Sequence, residues 1–504
     1  MSNSSNYPAP PVLNCEQRQI MLGLAYLAYT GEGITTPSPE TQIKQEITTA
    51  LPLVTYTPPG GTISNLGNWH IVWGPVAYTV PGSAMQDNLM YVAQNGTTSQ
   101  YAIAIRGTNF ASEVDWLLED FNVINTMNWP LNTTTSSPSG AKINESASID
   151  MNILLSMVDS VTTTKTLQDY LLTITSSEIN ICVTGHSLGG MLSSTLALNL
   201  LETQGDKSIW DASGLSTVCF ISFAGPTAGN NTFATYSNSV FANAKRPPAE
   251  LWDVTMNTNG DVVSCSYDIA PMAYTGTNIY NFQMGSAGAM FSIYQDNINF
   301  ANLTYGEKDE WSIFQEYILS KLGGLTNYQQ YTSLALANNL SAILGVFNGT
   351  PPPSSSGKFT EYLAAFMSQA VWQHSNSYPN IFGMQDTLLG TTTQPSVINR
   401  NVPTPAPIAI SLSSIASNPS EIKRDHTVVL TLTGSGFSSF VSPKMIPTEH
   451  LLFSDFVLVN DTTITVTVKV SATADDTENI GVEGFTGVGQ VSRTQELPIT
   501  VHFF

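Results

Sequence analysis

The amino-acid sequence predicts an α/β domain, a mostly parallel central sheet with helices on its faces, followed by a smaller all-β sandwich. Three observations carry this. Between residues 69 and 257, runs of strand composition alternate with helical patterns, the arrangement that parallel strands joined by crossover helices require. Pro395, Pro403, Pro405 and Pro407 interrupt the chain at a domain boundary. Beyond them the pattern is strand and turn only, partly with clear period-two alternation.

Each element follows from local composition. Residues 16–29 read as an apolar helix ended by Gly31, and a Pro-, Thr- and Gly-rich stretch runs from there to about residue 68. Strands are expected at 69–78, 89–94 and 99–106, with Asn95-Gly96 as a turn signal. Helices are expected at 149–161 and 166–174, a strand at 179–184, a helix from 188 to 201, a strand at 217–224 and a helix at 230–241. A further strand is placed at 251–257, with Gly260 and Asp261 in the turn after it. Residues 274–353 are aromatic-rich, with helical segments such as 310–322 and 334–346, and read as an insertion, a cap or lid candidate ending in a Pro-Ser link. Past the boundary, strands are expected at 408–412, 427–432, 456–458, 462–470 and 497–503. The division is therefore 1–400 for the α/β domain and 401–504 for the β-sandwich.

Charge narrows the function. The 504-residue chain carries a net charge of −21 on only 11% charged residues, so electrostatic attraction to nucleic acid or strongly anionic membranes is disfavoured and neutral or zwitterionic substrates fit better. Four cysteines make no dense disulfide framework, though they leave room for one disulfide, and no CxxC pair suggests zinc; Cys182 and Cys219 have the setting of buried strand residues. The first residues lack a basic, apolar secretory leader, and no apolar run is long enough to span a bilayer. An extracellular or surface location is favoured over the cytoplasm, which then implies a removed leader or another export route.

The chemistry is carried by Gly185-His186-Ser187-Leu188-Gly189, which follows the apolar run 179–183 and opens an apolar helix. A serine on such a strand-to-helix turn is the nucleophile elbow of α/β-hydrolases: small neighbours permit the sharp turn, and the hydroxyl sits at the positive end of a helix. A serine nucleophile needs a base, an acid that orients the base, and donors for an oxyanion; in this fold the chain order is serine, acid, histidine. Of six histidines, His70 precedes the elbow, His186 adjoins the serine and is expected to point away, and His426, His450 and His502 lie in the C-terminal region. His374 remains, in a loop-like stretch after a helical 362–372. The acid is expected just past the next strand, which selects Asp261 over Asp253 and the later Asp268. The amides of Thr108, at the end of the strand 99–106, and of Leu188 are the expected oxyanion donors. Arg106 is expected to be structural, bonded to carboxylates such as Asp115 or Asp120.

These blocks together carry a resemblance. AIAIRGTN, the DWLLEDF after it, ICVTGHSLGGMLS and FAGPTAGNNTF, in that order before the Asp261 segment, resemble the class 3 lipase family. The resemblance spans roughly 69–378 and implies an α/β-hydrolase that cleaves carboxylic esters, typically acylglycerols, beneath a movable lid. It implies Ser187, Asp261 and His374 as catalytic residues, Thr108 and Leu188 as the oxyanion hole, an ester or lipid substrate met at a lipid–water interface, and no metal or organic cofactor. Two departures stand out: Thr227-Ala228 replaces the family's frequent arginine-valine, and the Asp261–His374 spacing is long. A short-chain carboxylesterase or phospholipase A1 would use the same residues, and a surface-binding protein with a secondary hydrolase domain is the non-enzymatic alternative. LTLTGSGF at 430–437 resembles the opening of an immunoglobulin-like IPT/TIG domain.

Overall fold

The structure is a computed structural model that describes residues 16–31, 34, 39–58, 61–78, 88–96, 98–107, 126–129, 139–175, 177–249, 251–252, 258–265, 268–272, 308, 311–312, 315, 333–336, 370–389, 411–437, 440–445, 450–486 and 491–502. Its centre is a seven-stranded sheet: β1 (Trp69–Tyr78), β2 (Asn88–Asn95), β3 (Gln100–Ile105), β4 (Asn180–His186), β5 (Thr217–Phe223), β6 (Gly260–Cys265) and β7 (Ser333–Leu336). The strands lie across the sheet in chain order. β1, β2 and β3 pair antiparallel, whereas β3 through β7 pair parallel. The elements around it are α1 (Glu16–Leu27), α2 (Pro39–Ala50), α3 (Glu145–Ser156), α4 (Leu167–Ile174), α5 (Leu188–Thr203) and α6 (Asn231–Asn243). This mixed sheet with helices on both faces is the α/β-hydrolase architecture.

Strand periodicity explains the two faces. Successive side chains point to opposite sides of a sheet. One face presents Met90, Val92, Ile103, Ile105, Ile181, Val183, Val218 and Phe220 to helices α3 to α6. The opposite face mixes small groups, Ala93, Ala102, Ala104, Cys182 and Cys219, with larger ones such as Leu89, Tyr91 and Ile221, and packs against α1, where Tyr91 Oη donates to the Leu24 carbonyl at 2.6 Å. All ten residues of α1 from Arg18 to Leu27 are buried, as expected of a helix apolar on nearly every side. Cys182, Cys219 and Cys265 are buried and in no disulfide.

Two expectations need correction here. The strand expected at 251–257 is not the sheet strand: residues 251–252 are in a turn, 253–257 lie outside the described residues, and the strand is 260–265. The apolar run Val262-Val263 is buried between the two cores, so tertiary packing selects it. The helix expected at 334–346 also fails at its start, because Ser333–Leu336 is the parallel edge strand β7 beside β6. Pairing with β6 overrides the helical propensity of Leu and Ala there. The segment 274–353 thus contributes a strand to the sheet; the rest of it, apart from residues 308, 311–312 and 315, lies outside the described residues.

Residues 411–502 form sheets with a core of their own, from Leu412 to Val501. Ser411–Asn418, Thr427–Ser435, Thr463–Val470 and Leu451–Asn460 make a four-stranded antiparallel sheet in that order. Two three-stranded sheets complete the region, and the buried/half-buried alternation along Thr463–Val470 turns one face of its strand inward. Among the described residues, no helix is long and apolar enough to cross a membrane.

Candidate active site

The site is built at the carboxyl ends of the parallel strands. Strand β4 ends at His186, α5 begins at Leu188, and Ser187 between them has φ 61° and ψ −132°. For a residue with a Cβ that conformation costs about 1–3 kcal/mol, so surrounding contacts must hold it. The Ser187 amide donates to the Phe223 carbonyl at 2.9 Å, and the Ser187 carbonyl accepts from the Gly190 amide at 2.8 Å. The glycines of the motif are required by close approach: a Cβ on Gly185 would lie 2.2 Å from the Gly189 carbonyl oxygen, and one on Gly189 2.3 Å from that of Ile105. The turn is therefore pressed into the sheet end, with the first amides of α5, which have no acceptor within the helix, beside the serine.

His374 lies in a helical stretch, 370–375, which corrects the loop-like reading of this segment. Its Nε2 is 2.9 Å from Ser187 Oγ, and its Nδ1 is 3.0 and 3.1 Å from the two carboxylate oxygens of Asp268. A carboxylate accepts only, so Nδ1 carries the proton and Nε2 faces the serine as acceptor. All three residues are fully buried, where water does not compete for their hydrogen bonds.

The acid at the histidine is therefore Asp268, and the expectation for Asp261 is corrected. Asp261 is the second residue of β6, near its amino end, whereas Asp268 stands three residues past the carboxyl end of that strand. The rule that the acid follows the strand is obeyed; the strand had been placed too early. Asp261 instead binds Arg18 Nε of α1 at 2.5 Å, with both side chains almost wholly buried. The lone base of α1 thus finds an acid inside the protein, as a buried charge must.

Asp268 is itself held. Tyr378 Oη donates to Asp268 Oδ2 at 2.7 Å and accepts from the Cys265 amide at 2.9 Å. Burial, then the nearby negative Asp268, pushes the Tyr378 hydroxyl well above its usual range, so it keeps its proton and donates. The Ala270 amide donates to Asp268 Oδ1 at 3.0 Å. Nothing in the residue spacing had singled out Tyr378, which lies in the short helix Ser377–Ile381 that follows His374.

The remaining expected site residues divide. Leu188 opens α5 as anticipated. Thr108 lies outside the described residues, as do Asp253, Asp115, Asp120 and the segment 109–116. Gly107, just before Thr108, is packed on the elbow: a Cβ there would meet the His186 carbonyl oxygen at 2.5 Å and Ser187 Cβ at 2.8 Å. Arg106 is fully buried. His186, set aside as pointing away, directs Nε2 to the His374 carbonyl oxygen at 2.8 Å.

Comparison with known proteins finds similarity to lipases. Residues 102–264 match the family model of lipase (class 3). M37 lipase, a solved structure, is 28% identical, over 73% of this chain and 93% of that one, with a TM-score of 0.50. The chain is an ester-hydrolysing serine hydrolase of the lipase type. Lip2 lipase from Yarrowia lipolytica matches the hydrolase at 18% identity over 46% of this chain and 73% of that one, TM-score 0.31. A lipase from Rhizopus microsporus var. chinensis does so at 15% over 54% and 75%, also with a TM-score of 0.31. Among curated proteins the hydrolase has no match.

Proposed function

We propose that the hydrolase cleaves acylglycerol-type esters through an acyl-enzyme, with Ser187 as nucleophile, His374 as general base and acid, and Asp268 as the orienting acid. The single observation that supports this reading most is the unbroken line from Ser187 Oγ through His374 to Asp268. His374 Nε2 takes the Ser187 proton as Oγ attacks the ester carbonyl, and Asp268 stabilises the imidazolium. Collapse of the tetrahedral intermediate expels the alcohol, which receives that proton; a water then attacks the acyl-serine, with His374 again accepting and returning a proton. The oxyanion is read as facing the Leu188 amide at the amino end of α5, with Thr108 as the second donor, and each such donor is worth about 10²–10³ in kcat. No step of this cycle calls for a metal or organic cofactor.

The substrate reading is a lipid ester met at a lipid–water interface, supported by the similarity to M37 lipase. Residues 1–400 are read as the catalytic unit and 401–504 as an immunoglobulin-like sandwich appended to it, which the separate core of residues 412–501 favours. An ester panel of increasing acyl length, offered both in solution and as emulsion, tests the substrate. Activity that rises sharply with emulsified long-chain esters is expected; preference for short soluble esters would make the protein a carboxylesterase instead.

A further inference from the structure

The residue beside the nucleophile is as buried as the nucleophile itself and is tied to the opposing histidine. His186 Nε2 lies 2.8 Å from the His374 carbonyl oxygen, and its Nδ1 lies 2.9 Å from Tyr29 Oη. A carbonyl oxygen only accepts, so Nε2 must carry the proton, and in the neutral ring Nδ1 is then the acceptor for the Tyr29 hydroxyl. The next carbonyl, of Ser375, accepts from Tyr26 Oη. Both tyrosines come from α1 and the turn that follows it, and both are fully buried. The rings pack at tilted and edge-on angles around His186, whose centroid lies 4.9 Å from that of His374, 5.0 Å from that of Tyr26 and 5.9 Å from that of Tyr29.

These two carbonyls lie near the end of the helical stretch 370–375. Each accepts from a buried side chain, and those bonds help to set the direction of the two peptide groups that follow His374. One elbow thus carries two things, the serine that attacks and the donor that holds the backbone of its base. The Ser187–His374 distance is set from both sides by adjacent residues of the chain.

We propose that His186 is a positioning residue for His374, with Tyr29 fixing the tautomer that lets it serve and Tyr26 clamping the next peptide. The inference rests on the catalytic reading given above. In this arrangement Tyr29 acts through His186, whose Nδ1 and backbone carbonyl oxygen its hydroxyl approaches at 2.9 and 3.3 Å.

The experiment measures kcat and KM on a soluble ester for four folded variants, with melting curves as the folding control. His186→Leu removes the donor, and kcat is expected to fall about tenfold to a hundredfold with KM within about twofold, as for a base displaced by a fraction of an ångström to an ångström. His186→Gln, whose amide can donate to the His374 carbonyl, is expected to regain most of that loss. Tyr29→Phe keeps the ring and the packing and should lower kcat by roughly three- to tenfold, but by less than about twofold when made in the His186→Gln background, where no tautomer remains to be set. If His186→Leu does not fold, the Gln and Phe variants decide alone. Unchanged kcat in Tyr29→Phe, a Gln variant no better than Leu, or a loss expressed in KM would overturn the inference. Ser187→Ala serves as the separate control: if it stays active the catalytic reading fails, whereas an inactive Ser187→Ala beside a fully active His186→Leu sinks only the positioning role.

Discussion

Ser187→Ala is expected to lower kcat for ester hydrolysis by roughly 10⁵- to 10⁶-fold, and His374→Ala by a similar factor, because residues that act as one unit fail together. The double variant should then be hardly worse than either single one. Stability should move the other way or not at all for Ser187→Ala. The serine stands at φ 61° in a turn held by backbone bonds from its amide and carbonyl, and none of those is lost with the hydroxyl. Hydrolysis of a chromogenic ester together with a urea unfolding curve separates the two effects. A residual rate within a hundredfold of the parent would mean that another group attacks the ester.

The second large effect separates the two aspartates. Asp268→Asn keeps the shape of the side chain but removes the carboxylate that holds His374 Nδ1–H, and kcat is expected to fall about 10⁴-fold, the loss found when an orienting acid is made an amide. Asp261→Asn is expected to leave kcat of the folded enzyme within about threefold, while it destabilises the protein. Arg18 then keeps its charge without its acid, and breaking a buried ion pair by removing one partner costs about 3–5 kcal/mol. The measurement is kcat at saturating substrate beside the urea midpoint for each variant. Equal catalytic losses in both would show that Asp268 is not the acid that matters.

The contrast between those aspartates also shows what the chain made legible. The elbow was readable because its glycines answer to backbone contacts, and such positions admit no other residue at Gly185 or Gly189. Strands β2 to β5 were readable because both faces of the sheet are buried there and their apolar runs are long. His374 followed from having few histidines to choose among. The acid was not readable, because the stretch from Trp252 to Cys265 holds two short β-branched runs, and only the packing of Val262 and Val263 decides which of them joins the sheet. One signal was available: Arg18, a single base in the buried helix α1, required a buried acid somewhere, and Asp261 fits that need better than a surface turn. Tyr26, Tyr29 and Tyr378 gave no sign in sequence, since a tyrosine in an apolar setting reads as core until its hydroxyl is seen to reach a carbonyl or a carboxylate. His186 was discounted by the local geometry of the elbow, which says where a side chain leaves the turn but not what it meets.

The central claim is that Ser187, activated by His374 and Asp268, attacks the ester. The most direct test is reaction of the folded protein with a fluorophosphonate that carries an alkyl chain, followed by peptide mapping of the adduct. The account predicts one phosphonyl group per chain on Ser187, with labelling lost in Ser187→Ala and slowed about as much as hydrolysis in Asp268→Asn. An adduct on any other residue, or no adduct on a protein that still hydrolyses esters, would contradict it.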